Sequence, residues 1–430
     1  MSKRYRPYQP EQDLLLPPSL RDWLSENHLA YFVSDLVDQL DLWEIYEVYE
    51  EELRGQPPYD PRMMTKLLVY GYCVGVFSAR KIEQRVVEDV AFRVLAAGNA
   101  PDFRTIADFR KIHRKALEGL FEQVLRMALE VGAVQVGRVA LDGSKVKANA
   151  SKHKAMSWGR MQEQEKAIRK QVKELLWRAV ETDSAEDRRY GKNRRGDELP
   201  EELQRRETRL ERIREAKKAL QERAREKAAA AGKPDAKDQY NFTDPESRIM
   251  KSSSEGFVQA YNAQIAVEPA MQLIVGQAVT QAANDKEQVE PMVEAIEVQS
   301  GRRPEEMLAD NGYCSEKNLG YLESAKKPEK KIEAYIATGR QKHGERQVCP
   351  RGPLPQGTTR VERMRRKLQT KAGAAIYAAR KAIVEPVFGQ IKQARGFRRF
   401  SLRGLAKVQA EWALVCATHN ILKLHRLCYG

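Results

Sequence analysis

Cysteine is scarce in this chain and poorly placed for cross-linking. The five cysteines, Cys73, Cys314, Cys349, Cys416 and Cys428, are odd in number, widely scattered and form no CxxC pair. That argues against a disulfide framework or a zinc ribbon and suits a reducing cytoplasm. Long apolar runs are missing as well. The N-terminal "MSKRYRPYQPEQDLLLPPS" starts basic but has no sustained apolar core, and no stretch of about 18 apolar residues occurs elsewhere. A soluble, unsecreted protein with no membrane partner is expected. Acid is the third shortage, and it is local. Residues 351–430 hold 17 Lys or Arg against three acids, Glu362, Glu385 and Glu411, so +14 of the +15 net charge falls there. Such a C-terminal region expects an anionic partner.

What is present suffices for a large core, since 42% of the 430 residues are hydrophobic, and two or three parts are expected. Residues 1–132 read as an N-terminal helical domain. In "LRDWLSENHLAYFVSDLVDQL" the apolar Leu20, Trp23, Leu24, Leu29, Phe32 and Val33 recur at three- and four-residue spacings, and further apolar stripes follow up to Gly132. His28 and His113 read as helix-face residues. The period then changes. "VGRVALDGSKVKANAS" offers a strand over 136–141 that ends on Asp142 in a Gly-Ser turn, followed by a second extended piece. Residues 152–238 are a charged insertion read as an antiparallel helical pair, over 161–182 and 200–230, joined by a polar turn. Its modest net charge leaves open whether it is a solvated arm or touches a partner directly.

Order returns in "GFVQAYNAQIAVEPAMQLIVGQAVTQ", a hairpin of strands over 257–267 and 272–280. "DKEQVEPMVEAIEVQSG" follows as an amphipathic helix stopped at Gly301. "EEMLADNGYCS" is a short strand with Asp310 at its C-terminal end, and "KIEAYIATG" is another. "AGAAIYAARKAIVEPVFGQIKQARG" is helical in composition, with Pro386 as the one interior objection. Residues 133–151 and 239–430 thus read as one α/β unit interrupted by the insertion.

Asp142 and Asp310 each follow an apolar strand and precede a turn-forming pair. On neighbouring strands their carboxylates would repel unless a cation lay between them. A divalent metal answers that need, and Mg²⁺, which favours hard oxygen ligands together with substrate phosphates, suits three separated acids. Glu385, on the basic helix, is the candidate third ligand. Two such ions would assist in-line displacement at phosphorus. Arg395, Arg398 and Arg399, interleaved with Phe397 and Phe400, read as a surface that tracks a nucleic-acid backbone. Asp142 and Asp310 could also be simple turn formers and Glu385 a solvent-facing charge. Asp244 and Glu246 in "TDPESR" read as a capped turn leading back to the sheet.

Together, "ALDGSKVKANAS", "NFTDPESRIM", "GFVQAYNAQIAV", "AVTQAANDKEQ", "MLADNGYCS" and "YAARKAIVEPVFGQIKQARGFRRFSLRG" closely resemble the DDE transposases of bacterial insertion sequences, and "YDPRMMTKLLVYGYCVGVFSARKIEQRV" is similar to their N-terminal helical domain. The resemblance covers nearly the whole chain and points to a branch with a charged helical insertion after the first catalytic Asp. It implies an α/β fold with a ribonuclease-H-like catalytic core, an N-terminal all-helical domain for DNA-end binding or dimerisation, and a coiled-coil-like insertion. It places the catalytic and metal-binding triad on Asp142, Asp310 and Glu385, and Tyr377, Arg380 and Lys392 beside it as DNA-binding residues. Six residues separate Glu385 from Lys392, as in the signature of related transposases, whereas the four between Arg380 and Glu385 are one more than its tightest form.

The activity implied is Mg²⁺-dependent cleavage and strand transfer, with Mn²⁺ able to substitute, on the element's terminal repeats and on target DNA. A homodimer acting on the nucleoid in the cytoplasm is implied too. Two other readings stay open: a metal-dependent nuclease that cuts without joining, and a catalytically silent DNA-binding descendant.

Overall fold

The computed structural model describes residues 19–50, 57–190, 201–227, 232–252, 255–323, 331–339 and 352–430. Among the described residues a short 3-10 turn over Leu20–Trp23 is followed by seven α-helices: α1 (Leu29–Gln39), α2 (Trp43–Glu50), α3 (Pro61–Cys73), α4 (Ala79–Glu88), α5 (Val90–Ala96), α6 (Phe103–Ile112) and α7 (Arg114–Glu130). Their starts follow local chemistry. Asp60 accepts from the Met63 N–H with Pro61 in the first turn of α3, and Asp102 accepts from the Thr105 N–H at the start of α6. His28 caps α1 through its ring, and His113 is buried between α6 and α7, 2.8 Å from the Tyr49 hydroxyl. Both histidines have structural roles at helix ends.

Strand β1 (Arg138–Lys147) follows α7, then β2 (Ala155–Ser157) and the long antiparallel pair α8 (Trp158–Tyr190) and α9 (Glu201–Lys227). After these come β3 (Gln239–Asn241), β4 (Arg248–Ser252), β5 (Gly256–Val267), β6 (Ile274–Thr280), α10 (Val289–Ser300), β7 (Glu306–Ala309), α11 (Glu316–Glu323) and β8 (Glu333–Ile336). Helices α12 (Arg360–Gln369), α13 (Lys371–Gly389) and α14 (Leu405–Tyr429) close the chain.

The main sheet is mixed. Its order is β4-β5-β1-β7-β8, and β6 continues along the same edge of β5 that β4 occupies further down. β5 is antiparallel to β1, β4 and β6, whereas β1, β7 and β8 are parallel. β1 is therefore central, and the turn expected at Gly143-Ser144 does not form. β5 pairs with β1 from Ala140↔Val267 to Lys147↔Ala260, and this continuous ladder carries the strand straight through both residues. Asp142 consequently lies mid-strand. The outer edge of β6 is covered by side chains: Gln299 of α10 bonds the Gln277 backbone and Gln409 of α14 accepts from the Val279 N–H.

One apolar core runs from Ala30 in α1 to Leu424 in α14, so the helices before Gly132 and the sheet are buried against each other. α14 makes that junction, packing on α7, α3 and β6. The insertion has its own small core of Met161, Ile168, Leu210, Ile213, Ala216 and Leu220. α8 extends past the helix expected over 161–182, into the segment read as a turn. Among the described residues no helix is long and apolar enough to cross a membrane.

Pro386 is accommodated inside α13. A proline cannot donate to the carbonyl four residues back, which leaves the Ala382 oxygen without its helical partner. Gln272, at a left-handed φ of 58°, supplies one: its Nε2 lies 2.9 Å from that oxygen. A π-helical turn over Gln390–Ala394 then ends the helix.

Candidate active site

β1 and β7 bring the first two acids together. Leu141 pairs with Ala309 in the parallel ladder, so the next residues, Asp142 and Asp310, stand side by side. Asp142 Oδ1 accepts from the Gly143 N–H at 2.8 Å. Asp310 caps a short 3-10 turn over Asn311–Tyr313, with Oδ1 2.8 Å from the Gly312 N–H. Burial raises the Asp142 carboxyl to about 6; Arg380 opposes the rise, and Asp310 and Asp285 add to it.

Helix α13 lies over these acids. Arg380 is buried and its Nη1 is 3.4 Å from Asp142 Oδ2, and Tyr377 lies against the same guanidinium. Lys392, in the π-turn, donates to Ser144 Oγ two residues along the strand from Asp142. Burial lowers its pKa, and the nearby Asp142 counteracts this. Glu385 is exposed and makes no hydrogen bond or ion pair with the described residues. Five helical residues, at about 100° each, put its side chain about 140° round the helix from that of Arg380. The extra residue between Arg380 and Glu385 thus keeps them off one face.

Strand alternation sends Gly143 and Lys145 to the opposite face from Asp142 and Ser144. Here the structure adds an acid that the sequence did not single out. Asp285, in the loop between β6 and α10, accepts from Asn262 Nδ2 at 2.6 Å, Gln264 Nε2 at 2.8 Å and Lys145 Nζ at 3.3 Å. Gly143 makes that approach possible, because a Cβ there would sit 2.2 Å from Gln264 Nε2 and 2.9 Å from Asp285 Oδ1. The other Asp285 oxygen reaches to 3.4 Å from where a Cβ on Gly312 would be, beside the turn that fixes Asp310. Tyr313, fully buried, donates to Gln264 Oε1, and burial followed by Asp285, Asp142 and Asp310 drives its pKa well above the phenol range. In sequence Asp285 looks like an ordinary acid ahead of a helix, and only the fold distinguishes it.

Among the described residues no three His, Cys, Asp or Glu side chains converge closely enough to hold a metal ion by themselves. The chemistry nonetheless fits a hard cation. Two carboxylates stand side by side on adjacent strands, and burial and the neighbouring acids raise the Asp142 carboxyl above its usual range.

The C-terminal arginines divide. Arg398 and Arg399 are exposed, on a segment that pairs with the end of β1 through Lys147. Arg395 is buried, its guanidinium taken up by Thr418 Oγ1 at 2.8 Å and the Val415 carbonyl at 3.2 Å. It is an interior strut, which corrects its expected place in a DNA-facing set. Phe397 and Phe400 likewise pack around Trp412 in the core and present no stacking surface. Asp244 and Glu246 hold the start of α14: Asp244 accepts from the Tyr261 hydroxyl and the Gly404 N–H, and Glu246 from the Leu405 N–H.

Two family models match the chain, a transposase domain (DUF772) over residues 18–112 and a transposase DDE domain over residues 354–425. The second spans Tyr377, Arg380, Glu385 and Lys392, while Asp142 and Asp310 lie outside both. No curated protein and no solved structure matches. Helices of the first kind pack on a mixed sheet whose two adjacent acids lie under a helix of the second, and the two matches support a DDE transposase of insertion-sequence type.

Proposed function

We propose that the protein binds the terminal inverted repeats of an insertion sequence as a homodimer, cleaves DNA there and joins the freed 3′ end to target DNA. The observation that carries this reading is the pairing of Asp142 and Asp310 at adjacent parallel strands beneath the helix bearing Arg380 and Lys392. The sheet supports a ribonuclease-H-like core: an antiparallel meander of β1, β5 and β6, followed by parallel β7 and β8 added on the other side of β1.

Asp142 and Asp310, with Glu385 as third, are the residues that would hold Mg²⁺, two ions in the fullest form of the reading. Bound there, the metal supplies Lewis acidity at the phosphodiester and lowers the pKa of the attacking oxygen. The chain does the rest. Arg380 fixes the orientation of the Asp142 carboxylate, and Lys392, anchored on Ser144, sets a cation beside Asp142 where phosphate charge develops. Tyr377 braces Arg380, and Arg398 and Arg399 line the approach with positive charge.

The test is an assay on duplex DNA carrying the repeats that flank the gene. Mg²⁺-dependent nicking at the repeat ends followed by joining to a second duplex is the expected result. Cleavage without joining would convert the reading to a nuclease. Repeat binding by the wild-type protein with no cleavage in Mg²⁺ or Mn²⁺ would make it a silent DNA-binding descendant.

A further inference from the structure

The insertion, residues 152–238, carries 25 Lys or Arg against 18 Asp or Glu, and the fold sorts these charges. On α9 the residues Arg205, Thr208, Arg209 and Arg212 fall on one face at helical spacing, and Glu207 and Glu211 fall on the other side. The basic face looks into a groove of about 800 Å³ whose opposite wall is His153 and Lys154 at the base of the insertion. No acid lines it.

A second groove, of about 570 Å³, shares His153, Lys154 and Thr243 with the first and continues to Lys147, Lys152, Arg399 and Arg403. Among the described residues its one acid, Glu255, is paired with Lys147. The head groups of Lys154, Arg212 and Arg399 make no hydrogen bond or ion pair with the described residues. The two grooves form one cationic track from the insertion to the end of β1, five residues beyond Asp142.

We propose that this track holds the phosphate backbone of the duplex flanking the cleavage site, with the insertion as its outer wall. The proposal rests on the transposase reading and extends it by fixing where the DNA runs. The five residues from Asp142 to Lys147 span about 17 Å at about 3.4 Å each. Along one DNA strand, at about 3.4 Å per phosphate, that is about five base pairs. The first phosphates on the track therefore lie about five base pairs from the scissile one, and those against Arg209 and Arg212 lie further out.

The test compares two charge-matched double variants of the full-length protein on a duplex carrying the flanking repeat. Arg209→Gln/Arg212→Gln removes two cations from the track; Lys170→Gln/Lys218→Gln removes two exposed cations that do not line it. A cation that no longer neutralises its phosphate flattens the slope of log affinity against log salt by about 0.9. The track variant should flatten it by up to about 1.8, and phosphate-ethylation interference more than about five base pairs from the cut should disappear, while the control matches wild type. Equal slopes in all three proteins would overturn the track, as would equal flattening in both variants, which would report net charge alone. Wild-type cleavage at the repeats alongside an unaffected track variant would sink the track and leave the transposase reading standing. A wild-type protein that neither binds nor cuts the repeats would end both.

Discussion

Arg380 reaches Asp142 from the helix that also carries Glu385, with Nη1 3.4 Å from Oδ2, so the one acid on the central strand is met by a buried cation from the C-terminal region. The contact restrains a carboxyl that burial would otherwise drive up further. A raised folded-state pKa means that stability is fully present below the unfolded value near 3.8 and is lost as pH rises through about 6. In metal-free buffer, Asp142→Asn should remove that loss and stabilise the protein at pH 7 to 8 by up to about 3 kcal/mol, with no gain near pH 4. Arg380→Gln should move the midpoint above 6. Denaturant unfolding at a series of pH values measures both, and identical pH profiles for wild type and Asp142→Asn would refute the assignment.

Asp142→Ala and Asp310→Ala should each lower cleavage by at least about 10³-fold and weaken Mn²⁺ binding, with repeat affinity largely kept. Glu385→Ala should do the same if its exposed side chain closes the site once DNA is bound. Mn²⁺ should replace Mg²⁺, and Ca²⁺ should support binding with little chemistry. Mn²⁺ binding followed by electron paramagnetic resonance gives a readout independent of turnover. Near-normal cleavage by Asp142→Ala would exclude this site.

Asp285 tests whether the rear of the strand matters. It gathers Asn262, Gln264 and Lys145 behind Gly143 and reaches towards the Gly312 turn. As a positioning residue it should cost about 10- to 100-fold in metal affinity and rate when changed to Ala. Its charge also raises the Asp142 pKa, so Asp285→Ala should bring the Asp142 midpoint below about 6, a shift that mere loosening of the loop would not give. Gly143→Ala should be at least as damaging, because the new methyl would collide with the Gln264 amide.

Much of this was readable from the chain. The hairpin over β5 and β6, the Gly301 stop, with its φ of 67°, and the short strand before Asp310 follow from period and turn chemistry. The misreadings share a cause. Gly143 looked like a turn residue because a glycine that opens a strand and one that lets a neighbour approach are written alike, and only the partner strand tells them apart. Arg395 sits in a run of surface cations, yet the π-turn rotates it inward onto α14. Asp285 owes its place to a loop whose path is set by α10 packing on β6, a tertiary contact that the local sequence does not show.

Gln272 and Pro386 offer a test of how α13 keeps its course. The Gln272 side chain is the partner of the carbonyl that the proline strands. Gln272→Ala should cost about 0.5 to 1 kcal/mol, because water can take over the exposed Ala382 oxygen, and Gln272→Gly less, since glycine relieves the left-handed φ of 58°. Chemical denaturation of the two variants gives the order, and a more stable Ala variant would discard this account of the proline.

The salt dependence of DNA binding should separate the three arginines that follow α13. Arg398 and Arg399 are exposed, so replacing both with Gln should flatten the slope of log affinity against log salt by up to about 1.8, at about 0.9 per phosphate neutralised, with stability unchanged. Discrimination between cognate and random ends should hold, because phosphate contacts position DNA without reading it. Arg395→Gln should behave in the opposite way. Its guanidinium ties the π-turn to Thr418 and Val415 in the interior, and its carbonyl lies so close to Gly75 that a Cβ there would be 2.6 Å away. Losing those bonds should lower stability by more than about 2 kcal/mol and leave the salt slope of the folded fraction as it was. A flattened slope with normal stability in Arg395→Gln would place that side chain on the DNA after all.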